Sequence, residues 1–205
     1  NKKIVLGVAS IWDKRKGFDD FIRLNELLSD DYKIILVGLN KKQMESLPEN
    51  IIGIERTESV HELAELYSMA DVFVNPTYSD NFPTTNIEAL ACGTPVITYK
   101  TGGSPEAIDE KTGVVIEQGN INMLKEAIEF VAKDKSRYTE NCRERAVNLY
   151  NKQDRFNDYI NLFDSLTIDD YFEKMLTSNS PKNIEDYFKK NKPNTSTLIN
   201  INKYL

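Results

Sequence analysis

Asp80 and Glu88 stand eight positions apart in the stretch DNFPTTNIEALACGTPVI, residues 80–97. Pro83 suits the start of a helix, where a missing N–H costs nothing. Thr84 and Glu88 are then one turn apart on a shared face, and Ile87, Leu90 and Ala91 form an adjacent apolar face for packing on a sheet. The free N–H groups of a first helical turn, with the positive end of the helix dipole, make an anion site. A carboxylate one turn in can accept hydrogen bonds from vicinal hydroxyls, such as those of a ribose. An acid in the loop before the helix would face the other end of the same ligand. The chemistry that fits is a nucleoside diphosphate capped by a polyhydroxylated group. The same two acids also fit an N-terminal helix acid and a solvated helix glutamate, and the spacing alone leaves both open.

Positive charge gathers at Lys14-Arg15-Lys16 in GVASIWDKRKGFDDFI, against a formal net charge of -6 for the whole chain. A basic loop of this kind either meets an anion or is simply solvated. Trp12 beside it could cover a ligand or pack on the domain surface. His61, the only histidine, lies near Glu62 and Glu65 with no partner that suggests catalysis, and is expected at the surface. Cys92 and Cys142 form no CxxC pair and have no histidine at metal spacing, so they are expected to be reduced thiols of a cytosolic protein. The acidic balance argues against a general nucleic-acid binder and against a face that docks on anionic lipid.

Elements that could position these residues are legible in the hydrophobic pattern. Short apolar runs at 3–9, 33–38, 50–54, 71–76, 95–98 and 113–116 predict six strands. Helical spacing predicts helices over 17–29, 40–47, 58–70, 84–92, 120–133 and 137–165, the third opening on a capping box of Ser59 with Glu62. Strand-helix alternation with strands apolar on both sides predicts a Rossmann-like, three-layer α/β domain with a six-stranded parallel sheet over 1–166. Ligands of such sheets bind beyond the carboxyl ends of the strands, where the polar loops 10–16, 54–58, 76–83 and 99–104 fall. The composition shifts to Asn, Lys and Ser over 167–205, where IDDYFEK (168–174) and IEDYFKK (184–190) echo each other, so two short amphipathic helices and a loosely held end are expected. The 205 residues allow one well-cored domain, no apolar run is long enough to span a membrane, and the start NKKIVLGVAS fits a first strand better than a signal peptide. With no initiator Met, the chain is expected to be a piece of a longer protein.

The stretch NPTYSDNFPTTNIEALACGTPVITYKTGGSPEAI resembles the donor-binding signature of retaining glycosyltransferases of family 4, also described as glycosyl transferases group 1. The shared order is an acid, seven residues, a Glu, Ala91-Cys92-Gly93-Thr94-Pro95-Val96-Ile97, and the loop Gly102-Gly103-Ser104-Pro105-Glu106. The resemblance covers about 3–165 and not the tail. It implies one half of a GT-B fold, two Rossmann-like domains facing across a cleft, with this chain as the C-terminal donor-binding half. By position, Glu88 would bind the nucleotide ribose and Asp80 would contact the donor sugar. Asn81, Phe82, Thr84 and Thr85 would offer backbone N–H groups to the sugar and diphosphate. Lys16, before Gly17-Phe18-Asp19, matches a Lys that neutralises the leaving diphosphate. The family's preceding Arg position holds Ser10, and Arg15 is the natural substitute. Arg56 and Thr57 lie in the loop that holds the base, largely through backbone groups. The family usually has Glu at Asp80, whose shorter arm reaches less far, and Gly at Pro83, which here removes one N–H donor.

The resemblance implies retaining, metal-independent transfer from a UDP- or GDP-linked sugar to a glycan or lipid-linked acceptor, with no further cofactor. Cations and helix N–H groups aimed at the departing diphosphate would do the electrostatic work. The acceptor would be held by an N-terminal domain preceding residue 1, so this piece alone should bind donor and transfer little. It would act in the cytoplasm, peripheral to the inner face of the membrane through that other half, in polysaccharide or lipid-linked glycan synthesis. Two alternatives are a donor-binding subunit that pairs with a separate acceptor-domain protein, with the tail as docking element, and a non-catalytic nucleotide-sugar-binding module. A GT-B epimerase fits less well, because nothing here supplies its acid/base residues.

Overall fold

Branched apolar residues dominate the strand segments, and the computed structural model, which describes residues 2–165, pairs them into one parallel sheet. Its strands are β1 (Lys3–Val8), β2 (Tyr32–Val37), β3 (Ile51–Ile54), β4 (Val72–Asn75), β5 (Val96–Tyr99) and β6 (Gly113–Ile116). They run in the order β3-β2-β1-β4-β5-β6. Val5 pairs with both Ile34 of β2 and Val72 of β4, so β1 sits between the two halves where the order reverses. Every residue of β4 and β5 is buried, as expected for strands covered on both faces.

The helices are α1 (Phe18–Leu27), α2 (Lys41–Glu45), α3 (Val60–Met69), α4 (Thr84–Ala91), α5 (Ile121–Ala132), α6 (Ser136–Tyr150) and α7 (Lys152–Ser165). α1 and α5 pack beside each other, and α4 packs against both α3 and α6, so the helices form two groups, as the right-handed crossover rule expects for the two faces of such a sheet. Phe21, Leu24, Leu36, Phe73, Leu90, Ile97 and Ile128 fill the core between these layers. Burial of each such side chain contributes about 1.5–3 kcal/mol.

Four local differences from the sequence expectation have physical reasons. Residues 137–165 form two helices, not one, because the Asn151 side chain accepts from the N–H groups of Gln153 (2.9 Å) and Asp154 (3.3 Å) and starts α7 afresh. On α4 the buried stripe is Asn86, Ala89 and Leu90 rather than Ile87, Leu90 and Ala91, since Asn86 makes buried hydrogen bonds that Ile87 cannot. Ser59 caps α3 as expected, but the Glu62 carboxylate returns to the N–H of Glu58 (2.5 Å) instead of Ser59. Trp12 packs inward, with its indole N–H on the Val37 carbonyl (2.8 Å) and its ring edge-on to Phe21, so it covers no ligand.

The chain divides into two compact units, Asn1–Tyr150 and Asn151–Leu205. The sheet lies in the first, and α7 is the described part of the second. The two expected tail helices, 168–174 and 184–190, lie outside the described residues. Among the described residues no helix is long and apolar enough to cross a membrane.

Candidate functional site

Parallel strands deliver all their following loops to one edge, and the reversal between β1 and β4 opens a crevice there. The loop after β1 enters it through a single 3-10 turn over Lys14–Lys16. Asp13 caps that turn, its carboxylate accepting from the Lys16 N–H at 2.9 Å. Gly17 then turns the chain into α1 with φ of 75°, so close to β4 that a Cβ would stand 2.3 Å from the Pro76 carbonyl oxygen. From the other side, the loop after β4 clasps the same turn. The Tyr78 N–H and the Thr77 hydroxyl both donate to the Arg15 carbonyl, at 2.7 and 3.2 Å, and the Arg15 guanidinium donates to the Ser79 carbonyl at 3.1 Å. This clasp brings Lys16 Nζ to 2.5 Å from Asp80 Oδ2, with both side chains about four-fifths buried.

Behind the pair, buried polar side chains lock the strand ends to α4. Asn75 at the end of β4 donates to Asn86 Oδ1 (2.8 Å), and Asn86 donates to the Ser104 carbonyl (3.1 Å). Thr98 donates to the Asn75 carbonyl (2.9 Å). The start of α4 is left open by this arrangement. Pro83 is its N-cap residue and carries no side-chain acceptor, whereas Asn40, Ser59 and Asn120 cap α2, α3 and α5. The first-turn N–H groups of Thr84 and Thr85, four and five residues along the chain from Asp80, therefore receive no side-chain cap from Pro83. One turn further in, Glu88 is half-buried and accepts from the Tyr67 hydroxyl of α3 at 3.0 Å.

The loop after β5 closes the far side. Gly102 and Gly103 lie against the Asp80–Asn81 backbone, and the Gly103 N–H donates to the Asp80 carbonyl (3.3 Å). A Cβ on Gly102 would meet that carbonyl oxygen at 1.9 Å, and one on Gly103 would meet the Asn81 carbonyl at 1.9 Å. Gly102 also holds φ of 47°. Gly103→Ala is expected to force the two loops apart, lowering the unfolding free energy by about 1–3 kcal/mol. Denaturant titration checks this, and a stability unchanged within error would show that the loops are not in contact.

Tyr67 and Tyr99 are buried and Tyr78 is half-exposed, and each hydroxyl is given to a carboxylate: Tyr67 to Glu88, Tyr78 and Tyr99 to Asp20. Burial first, and the carboxylate second, raises all three hydroxyl pKa values above 10.0, that of Tyr78 to about 12. A raised folded-state value means that the stability contributed is fully present below pH 10 and is lost as pH rises through about 12. Tyrosinate absorbance from Tyr67, Tyr78 and Tyr99 should therefore appear only well above pH 10, that of Tyr78 at about pH 12, together with loss of circular dichroism. A single tyrosinate step at pH 10 in folded protein would contradict these bonds.

Lys16, Arg15 and Asp80 are brought together as one cluster, with Asn81, Thr84 and Thr85 following directly on the chain. Phe82 turns its ring toward Tyr150 of α6, with centroids 6.0 Å apart. Ser10 is exposed in the loop after β1, beside Gly38. Arg56 is exposed and Thr57 half-buried in the loop after the edge strand β3. At ~4.8 Å per strand, that loop lies about 10 Å from the one after β1. His61 is at the surface. Asp20, Tyr67, Tyr78, Tyr99 and the buried Asn75–Asn86 link went unrecognised in the sequence. The available signal for Asp20 was its phase, since it falls on the same helical stripe as Phe21 and Leu24.

The six-stranded parallel sheet with its flanking helices is a Rossmann-like domain of the kind found in GT-B glycosyltransferases. The family model described as glycosyl transferases group 1 matches residues 1–149, and the chain belongs to that family. It is 38% identical over 110 residues to alpha-galactosylglucosyldiacylglycerol synthase of Streptococcus pneumoniae, covering 47% of this chain and 28% of that protein. It is 29% identical over 169 residues to the capsular polysaccharide biosynthesis glycosyltransferase CapM of Staphylococcus aureus, covering 75% of this chain and 44% of that one. Among solved structures it resembles sucrose-phosphate synthase of Thermosynechococcus elongatus, with a TM-score of 0.68 and 28% identity over 80% of this chain and 46% of that one. The chain thus spans less than half the length of these relatives.

Proposed function

We propose that this chain is the donor-binding half of a retaining family 4 glycosyltransferase that takes a nucleoside-diphosphate sugar. The observation that carries the reading is the Lys16–Asp80 pair, held across the switch point, with Asp80 four residues before the uncapped start of α4. In this reading the diphosphate lies over the Thr84 and Thr85 N–H groups, with Lys16 and Arg15 on its oxygens. Asp80 and Asn81 face the sugar, and Glu88 takes the ribose hydroxyls. The loop with Arg56 and Thr57 lies at the base end, at a distance on the scale of a nucleotide. Departure of the diphosphate breaks the anomeric C–O bond, leaving negative charge on the phosphate oxygen and positive charge on the sugar ring. Fixed cations and N–H dipoles aimed at that oxygen lower the barrier, because they need no reorganisation as the charge develops. A hydroxyl of the acceptor then bonds to the anomeric carbon on the face the diphosphate left, and its proton passes to the departing phosphate oxygen. In this reading the positive charge comes from the protein, and transfer should persist in excess chelator.

The acceptor would be held by a second domain outside these residues, and a glycan or lipid-linked acceptor fits the names of two of the relatives. Calorimetric titration of the chain with UDP, GDP and ADP tests the donor site. Binding of one nucleotide, lost in Lys16→Ala and Glu88→Ala, is the expected result. No binding by folded protein, or binding unaltered in both variants, would overturn it. The isolated chain should bind donor and transfer little, and a robust transfer rate would overturn the half-site reading.

A further inference from the structure

Asp20 is a carboxylate in an unusual place: it lies in the first turn of α1, only 3% exposed, on the stripe that otherwise faces the core. Burying a charge is costly unless it is hydrogen-bonded. One oxygen, Oδ2, accepts from the Tyr78 hydroxyl and from the Tyr99 hydroxyl, each at 2.8 Å. Arg23 lies 3.7 Å from the other oxygen. The two rings meet edge-on, with centroids 5.5 Å apart.

The three residues come from three different loop roots. Asp20 stands four positions after Lys16. Tyr78 stands two before Asp80, and its own N–H holds the Arg15 carbonyl. Tyr99 ends β5, three before the Gly102-Gly103 contact with Asp80 and Asn81. We infer that Asp20 is a positioning residue: by gathering Tyr78 and Tyr99 on one oxygen, it fixes the loops after β1, β4 and β5 so that Lys16 meets Asp80. It touches neither of them, so it acts through the backbone of the β4 loop. The inference rests on the donor-site reading above and adds to it a device that holds the diphosphate–sugar end without holding the ribose end, where Glu88 answers to Tyr67 instead. An open hollow of about 460 Å³, lined by Arg15, Asp19, Asp20, Arg23 and Tyr78, gives the Tyr78 ring room to leave if the bond is lost.

The test uses Tyr78→Phe, Tyr99→Phe, Asp20→Ala and Asp20→Asn in the 205-residue chain. Tyr78→Phe removes one hydroxyl from a half-exposed side chain, and so stays informative if Asp20→Ala fails to fold. Asp20→Asn keeps an acceptor oxygen and is the conservative rescue. The first readout is amide hydrogen exchange at Tyr78 and Gly103, whose N–H groups hold the loops together. In Tyr78→Phe both should exchange about tenfold faster, as for loss of one hydrogen bond to a charged group, with the amides of β1 and β4 unchanged. The second readout is calorimetric affinity for UMP against UDP-glucose, or GMP against GDP-mannose if the chain prefers guanosine. Tyr78→Phe should weaken the nucleotide sugar about tenfold and the monophosphate less than twofold, and Asp20→Asn should restore most of the difference lost in Asp20→Ala. Equal weakening of both ligands, or unchanged exchange at Tyr78 and Gly103, would overturn the inference. If the wild-type chain binds neither ligand, the donor reading fails, and the exchange measurement alone decides whether Asp20 holds the loops.

Discussion

Lys16→Ala is expected to lower the transfer rate of the enzyme that carries this domain by about 10²–10³-fold, the usual effect of removing one fixed charge-stabilising donor from a leaving group. The site has two cations, Arg15 and Lys16, but they are not equivalent. Arg15 is half-exposed and spends one N–H on the Ser79 carbonyl, whereas the Lys16 ammonium is about four-fifths buried and points at Asp80. A charge removed from water acts more strongly on its neighbours than one in it. The substitution also leaves Asp80 without its partner, at a cost of about 1–3 kcal/mol of stability, between the values for surface and for fully buried pairs. Two measurements separate the effects. Lys16→Ala combined with Asp80→Asn should regain most of the stability and little of the rate. Nucleotide affinity should fall more for the diphosphate than for the monophosphate, since in the proposed pose only the former reaches Lys16. A loss of less than about threefold in rate would mean that Lys16 is a structural partner of Asp80 and no more.

That Lys16 and Asp80 lie at the same end of the sheet was legible in the chain. Six apolar runs separated by helical patterns predict a parallel sheet. Such a sheet sends the loops after β1 and β4 to its carboxyl edge, and the strand order that makes these two strands neighbours came only with the structure. What was not legible is what holds them at contact distance. Asp20 in FDDFI could equally have been a solvated first-turn acid, and Asp19 beside it is one. Only the phase of the buried stripe separates the two, and one residue of phase is finer than a pattern over ten positions resolves. Asn86 was missed for a related reason. Hydrophobic period favours Ile87 as the inward residue, but a satisfied buried amide outweighs one half-buried isoleucine and turns α4 accordingly. Trp12 and the break at Asn151 show the same competition. Hydrogen bonds to particular backbone groups decided each, and such partners are distant in sequence or local in a way that periodicity does not record.

The second large effect is expected at the other end of the site. Glu88→Ala should weaken nucleotide binding by about 100-fold or more, because two charge-assisted hydrogen bonds from vicinal hydroxyls are together worth at least about 3 kcal/mol. The Tyr67 hydroxyl makes this a demanding test. It occupies Oε2 of Glu88 at 3.0 Å, which orients the carboxylate. Removing Glu88 therefore also strands a buried hydroxyl, at a stability cost of about 1–3 kcal/mol, and a loss of binding alone would not prove contact with ribose. Tyr67→Phe supplies the control: it removes the orienting bond, keeps the carboxylate, and should weaken binding only a few-fold. The decisive comparison is UDP against 2′-deoxy-UDP, or the guanosine pair if that is preferred. Wild-type chain and Tyr67→Phe should both favour the ribose form, since the carboxylate that reads it remains. Glu88→Ala should bind both forms with equal, weak affinity. If Glu88→Ala still discriminates, some other group reads the sugar, and Glu88 serves α3 and α4 as the partner of Tyr67 rather than the ligand.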